Sequence, residues 1–207
     1  LTLTAWEQIS SYLKFRGHQI PSFPPHTPIG QGRVPGLLHL LLRREDDDCE
    51  NWVLTDPPGE WFEKWALNAD DEGAKGARWI ADNASHFAFF IDSALLAGEA
   101  SPKAKLDVLA LAERLASVAG SRPIAVVWSK SDVKIDPTLK GSVRNRIDEL
   151  FSVKAHFDLS IMPNEDPIAR CTALWTWLTD RSAWAAPDLY LEPVSEDFFL
   201  AYRGGNG

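Results

Sequence analysis

Apolar residues in this chain fall into short blocks and longer periodic stretches, and from residue 86 onward the two kinds alternate. "GLLHLLLRR" (36–44) and "WVLTD" (52–56) flank the acidic turn "REDDDCEN" (44–51), which predicts an antiparallel hairpin. "HFAFFID" (86–92) and "PIAVVWS" (123–129) are apolar runs of strand length, the pattern of strands buried on both faces. "AHFDLSI" (155–161) is a shorter strand. Helical stretches lie between and after them. Residues 101–120 carry Ser101 as N-cap, Pro102 in the first turn and Gly120 just past the end. Residues 141–152 and 166–181 read as two further helices, and 57–84 as a loop with helical material. Upstream, 4–16 is an amphipathic helix, and 17–36 is a Pro- and Gly-dense loop of a length that tends to be functional. Strand–helix alternation predicts an α/β fold: a mostly parallel sheet, one antiparallel hairpin strand, and helices on both faces. Such sheets bind ligands at the carboxyl ends of their strands.

Composition narrows the partners. The 207 residues suit about one large domain, and 45% hydrophobic residues suffice for a core. A net charge of -8 argues against a general nucleic-acid or anionic-membrane surface, but not against a phosphate ligand held at a local site. Cys49 and Cys171 form no C-x-x-C and have no histidine at metal-ligand spacing, so a disulfide scaffold and a zinc site are poor readings. A reducing, cytoplasmic setting fits. No apolar run reaches the ~18 residues that span a bilayer. Nine tryptophans are many for this length; core packing is the plain reading, and base stacking fits poorly with the acidic balance.

The strand ends hold the chemistry. "TDPPGE" follows the 52–56 strand, Asp92 ends the next, "SKSD" ends the 123–129 strand, and "SIMPN" ends the last. Asp56-Pro-Pro-Gly59 resembles the D-x-x-G motif of P-loop GTPases of the translation-factor-like class, and Ser129-Lys130-Ser131-Asp132 resembles N/T-K-x-D, with Ser in place of Asn. Thr27 stands where that class has its switch I threonine, and Ser160 near its last guanine-contacting loop. The likeness covers roughly residues 20–181. "PPHTP…GRVPGLLHL…TDPPGEWFEKWA…WSKSD" is similar to the bacterial double-GTPases. That resemblance implies a Ras-like G-domain over 1–181 lacking its first strand and P-loop, with 182–207 as a C-terminal appendage.

The resemblance also implies roles. Asp132 would accept N1–H and the 2-amino group of guanine, which an ionised carboxylate can do with two oxygens. Lys130 would lie along the base, with Ser131 only turning the chain, and Ser129 and Ser160 would complete the base site. Asp56 and Thr27 would hold Mg²⁺. Gly59 would offer its amide to the γ-phosphate. Glu60 stands where a water-orienting glutamine is common, and Arg33 would serve as an arginine finger in cis, against the plainer reading of a solvated loop arginine. Asp92 reads as a strand-end cap. The cofactors are then GTP or GDP and Mg²⁺. Protein partners would bind the switch segments 20–35 and 56–68, and a dimer or paired G-domains are possible arrangements. Trp61, Phe62 and Trp65 are either partner contacts or core. Association with multi-component conflict or defence systems is a further implication.

One element departs from that pattern. No G-x-x-x-x-G-K-[ST] occurs in the 207 residues. The expectation is that further N-terminal residues supply it. Three readings stand: an active GTPase switch, a pseudo-GTPase scaffold that does not hydrolyse nucleotide, and an unrelated flavodoxin-like receiver. The last is disfavoured by the antiparallel hairpin and by the lysine two residues before Asp132.

Overall fold

The computed structural model describes residues 37–43, 49–55, 57–162 and 165–180. β1 (Leu37–Arg43) and β2 (Cys49–Thr55) form the expected antiparallel hairpin, with Leu40 opposite Trp52. After it come α1 (Gly59–Leu67), a 3₁₀ turn (Glu72–Ala74) and α2 (Lys75–Asn83). Then follow β3 (Phe87–Asp92), the short α3 (Ser93–Ala97) and α4 (Ser101–Ala119). The chain continues through β4 (Ile124–Ser129), α5 (Pro137–Leu150), β5 (Lys154–Leu159) and α6 (Pro167–Thr179). β3, β4 and β5 make a parallel sheet in that order, separate from the hairpin pair among the described residues. This is the α/β architecture expected from the alternation, consistent with a G-domain-like fold.

One face of the sheet carries the core. Phe89, Ile91, Ile124, Val126 and Trp128 pack with Trp61 and Trp65 of α1, Ala77 and Ala81 of α2, Leu115 of α4, and Val143 and Ile147 of α5. Trp61 and Trp65 are 8% and 3% exposed, so they are core rather than partner contacts; Phe62 is only partly buried. Both tryptophans face the core because they stand four residues apart on one face of α1. On the opposite face α6 packs against β5, with the Phe157 and Trp177 rings edge-on at 5.7 Å. Trp52 of the hairpin meets His86 and Trp175 at ring distances of 5.7 and 5.3 Å.

Several local expectations are corrected. β4 is buried on both faces, but β3 is not: Phe89 and Ile91 are buried while Phe90 is 60% exposed. Among the described residues β3 is an edge strand, and α6 covers the β5 side of that second face. Ser101 is the first residue of α4 rather than its cap, which is Ala100. α5 begins at Pro137, four residues before the expected start, because the Asp136 carboxylate accepts from Leu139 N–H and proline suits the first helical position. Gly120 follows α4 at φ 60°, a conformation glycine adopts without a Cβ penalty.

A buried polar chain makes stability depend on pH. Trp128 donates its indole N–H to His156 Nδ1 at 3.1 Å. Indole is a donor only, so Nδ1 must be bare and the proton sits on Nε2, 3.0 Å from Asp148 Oδ1. Burial lowers the His156 pKa below 6.5, outweighing the opposing hydrogen bond to Asp148; nearby Arg144 and Lys154 push it the same way as burial. Burial lowers His86 as well, against Glu50. The unfolded chain therefore takes up these protons first. Stability is complete above about pH 6.5 and falls as pH drops through the lowered folded values. Urea denaturation at pH 7.5 and 5.5 should show a lower midpoint at 5.5. His156→Phe should flatten that difference; an unchanged midpoint across this range contradicts the assignment.

Candidate functional site

The parallel register brings three strand ends level, with Asp92 beside Ser129 and Ser129 beside Leu159. Ser129 donates its hydroxyl to the Ile91 carbonyl at 3.1 Å, which ties β4 to β3 at the edge. The chain then turns sharply. Lys130 takes φ 53°, a left-handed conformation that costs a non-glycine residue roughly 1–2 kcal/mol. Its ammonium reaches Asp92 Oδ2 at 2.6 Å. The other Asp92 oxygen caps α3, accepting from Ala94 N–H at 2.9 Å and Leu95 N–H at 3.4 Å. Partial burial alone would raise the Asp92 carboxyl, but Lys130 and the helix amides outweigh it and hold the pKa below its usual 3.8. Asp92 is thus the cap that its position predicted, with an added hold on Lys130.

Asp132 is the next fixed point. It is an exposed residue at the edge. Ser160, 4% exposed, donates its hydroxyl to Asp132 Oδ1 at 2.5 Å and accepts Met162 N–H at 3.1 Å. Ser131 N–H bonds the Leu159 carbonyl at 3.0 Å, and Val133 N–H closes the turn on the Lys130 carbonyl at 2.9 Å. The segment after β4 is therefore laced to both neighbouring strand ends. Ser129, Lys130, Asp132 and Ser160, singled out separately in the sequence, lie at this one edge.

The Double-GTPase 2 family model matches residues 1–173. The chain belongs to this family. No curated protein matches it. Membership of the Double-GTPase 2 family implies a guanine nucleotide as ligand.

The sheet edge of this Double-GTPase 2 domain presents a hydrogen-bonded carboxylate, Asp132. A carboxylate has about four acceptor sites. Ser160 takes one on Asp132, which leaves the rest for other donors, and the bond restrains the carboxylate's rotation. Gly59 and Glu60, the other described candidates, stand at the start of α1. Gly59 is the first residue of this nine-residue helix, with Pro58 at the cap, so its amide belongs to the set that has no partner inside the helix. A Cβ on Gly59 would meet no atom of the chain within 4 Å. Glu60 is exposed in the first turn. Thr27, Arg33 and Asp56 lie outside the described residues. Among the described residues, no group of three or more His, Cys, Asp or Glu side chains is placed to hold a metal ion.

The sequence reading passes over Arg170 and gives Ser131 no role beyond turning the chain. Arg170 of α6 donates one guanidinium nitrogen to both Ser131 Oγ and the Asp158 carbonyl, each at 3.1 Å, and the other to Glu165 at 2.6 Å. Ser131 therefore does more than turn the chain: its side chain is anchored. One sequence signal was available. Arg170 sits in the first turn of α6, where the helix dipole disfavours a cation, so an arginine there points to a specific partner.

Proposed function

We propose that this Double-GTPase 2 domain is a GTP-binding switch that reads guanine with Asp132. The observation that carries the reading is the Ser160–Asp132 clamp, which holds a carboxylate at the carboxyl edge of a parallel sheet. Lys130, held by Asp92, flanks the base with its aliphatic stem, and Ser129 secures the strand from which it projects. Gly59 offers a helix-terminal amide to the terminal phosphate. Asp56 and Thr27 are assigned to Mg²⁺ on the resemblance of their motifs; the ion would neutralise phosphate charge. Arg33 and Glu60 are assigned to the hydrolytic step, and segments 20–35 and 56–58 to the response that protein partners read. Buried Trp61 and Trp65 anchor α1, so the response centres on the residues ahead of it. The setting is cytoplasmic, in a bacterial multi-component system. Titration of GTP and ATP into the full-length protein tests the base reading: GTP should bind more tightly, and equal affinities remove it.

Glu60 favours a second reading, a scaffold that binds nucleotide without turning it over. A carboxylate beside a phosphate is repelled by it unless its proton is retained. Phosphate release from GTP by the full-length protein, followed over hours, separates the two.

A further inference from the structure

Outside the Asp132–Ser160 contact, the densest polar knot at the sheet edge is the one around Arg170. It ties the turn after β4 to the end of β5 and to the segment that leads into α6. Ser131 belongs to the turn after β4, Asp158 to the end of β5, and Glu165 to the segment leading into α6. Glu165 N–H in turn bonds the Met162 carbonyl at 2.9 Å, and Met162 N–H bonds Ser160 Oγ. Ser160 closes the circuit on Asp132. Both partners of the base-reading clamp are thus flanked by residues that Arg170 holds: Ser131 beside Asp132, and the Asp158 carbonyl and Glu165 on either side of Ser160.

The chemistry of this knot is specific to arginine. The guanidinium is planar and carries five donors in a fixed fork, whereas a lysine ammonium is a point charge on a flexible stem. One Arg170 nitrogen bridges a hydroxyl on one loop and a carbonyl on a neighbouring strand while the other holds a carboxylate. Arg170 is partly buried, with its side chain 34% exposed, so these bonds are sheltered from water more than a free surface pair is.

We propose that Arg170 is a positioning residue for guanine recognition: it couples the first turn of α6 to the 129–132 turn and so sets how well Asp132 is presented to the base. This rests on the reading of Asp132 given above. Loosening the knot leaves Asp132 in place chemically but frees the turn that carries it. The effect falls on the contact that distinguishes bases more than on any contact made to phosphate. α6 thereby becomes a route by which displacement of this helix changes nucleotide retention.

The test uses the full-length wild type, Arg170→Ala, Arg170→Lys and Glu165→Gln. GDP, IDP and ADP are the probes; IDP lacks the 2-amino group. GDP dissociation should speed up about tenfold in Arg170→Ala, the loss of one hydrogen bond to a charged group. The GDP-over-IDP affinity ratio should shrink in the same variant. Arg170→Lys should stay near Arg170→Ala, because lysine lacks the fork, and Glu165→Gln should fall between it and wild type. Wild-type dissociation and an unchanged GDP-over-IDP ratio in Arg170→Ala overturn the proposal, even where its melting temperature drops. If Arg170→Ala does not fold, the same readouts on Arg170→Lys decide. A wild type that binds GDP no better than ADP refutes the Asp132 reading itself, a different failure from a wild-type-like Arg170 variant.

Discussion

Replacing Asp132 by alanine is expected to lower GTP affinity by about two to four decades and to leave ATP affinity nearly unchanged. The size follows from two hydrogen bonds to a charged group, roughly 1.5–3 kcal/mol each, at about 1.4 kcal/mol per decade. Adenine presents no matching donor pair, so it gains nothing from the carboxylate and loses nothing with it. Ser160→Ala should give a smaller loss in the same direction, because the carboxylate survives but its plane is no longer held at 2.5 Å. The measurement is a calorimetric or fluorescence titration with both nucleotides at one salt concentration. Parallel losses of GTP and ATP in Asp132→Ala would mean that residue 132 supports the fold instead of reading the base.

The second large effect lies in packing. A Cβ added at Gly76 would sit 2.3 Å from Cε3 and Cζ3 of Trp61. The indole of α1 thus lies flush on the backbone of α2, and both residues are buried. Alanine is ordinarily better than glycine inside a helix by about 1 kcal/mol, so any net loss isolates the clash. Gly76→Ala should destabilise by about 3 kcal/mol, the upper part of the usual overpacking range, and lower the melting temperature by roughly 6–12 °C. Adding Trp61→Leu should recover part of that loss, since the two positions share one contact and cannot act independently. A Gly76→Ala protein within ~0.5 kcal/mol of wild type would contradict the packing described.

The strands and the edge of the site were legible because their signals are local. Ile124 to Ser129 form an apolar run that ends abruptly in Lys130 and Asp132, and a parallel sheet can place such an end only at its carboxyl edge. The hairpin announced itself through an acidic turn between two apolar blocks. Burial was less legible. Phe90 looks like a core residue in "HFAFFID", yet its face of β3 is open, because coverage depends on which strand and helix lie alongside. The fate of Trp61 and Trp65 likewise turned on a partner surface, here Gly76 and Ala77 of α2. Arg170 and Ser131 are 39 residues apart, and nothing in either neighbourhood specifies the other. Lys130 is an intermediate case. Its place just past the end of β4 is legible in the sequence, but its left-handed backbone and its pairing with Asp92, 38 residues upstream, are products of the register that brings β3 and β4 level.

The most direct measurement is a change of base preference. Xanthine keeps the N1–H donor of guanine but carries a carbonyl acceptor where guanine has the amino donor. An amide offers one acceptor and one donor, the complement of that pair. Binding of GTP and XTP to the full-length wild type and to Asp132→Asn should therefore show opposite orders, with GTP preferred by the wild type and XTP by the variant. If Asp132→Asn keeps the wild-type order, the carboxylate at the edge of this sheet does not read the base.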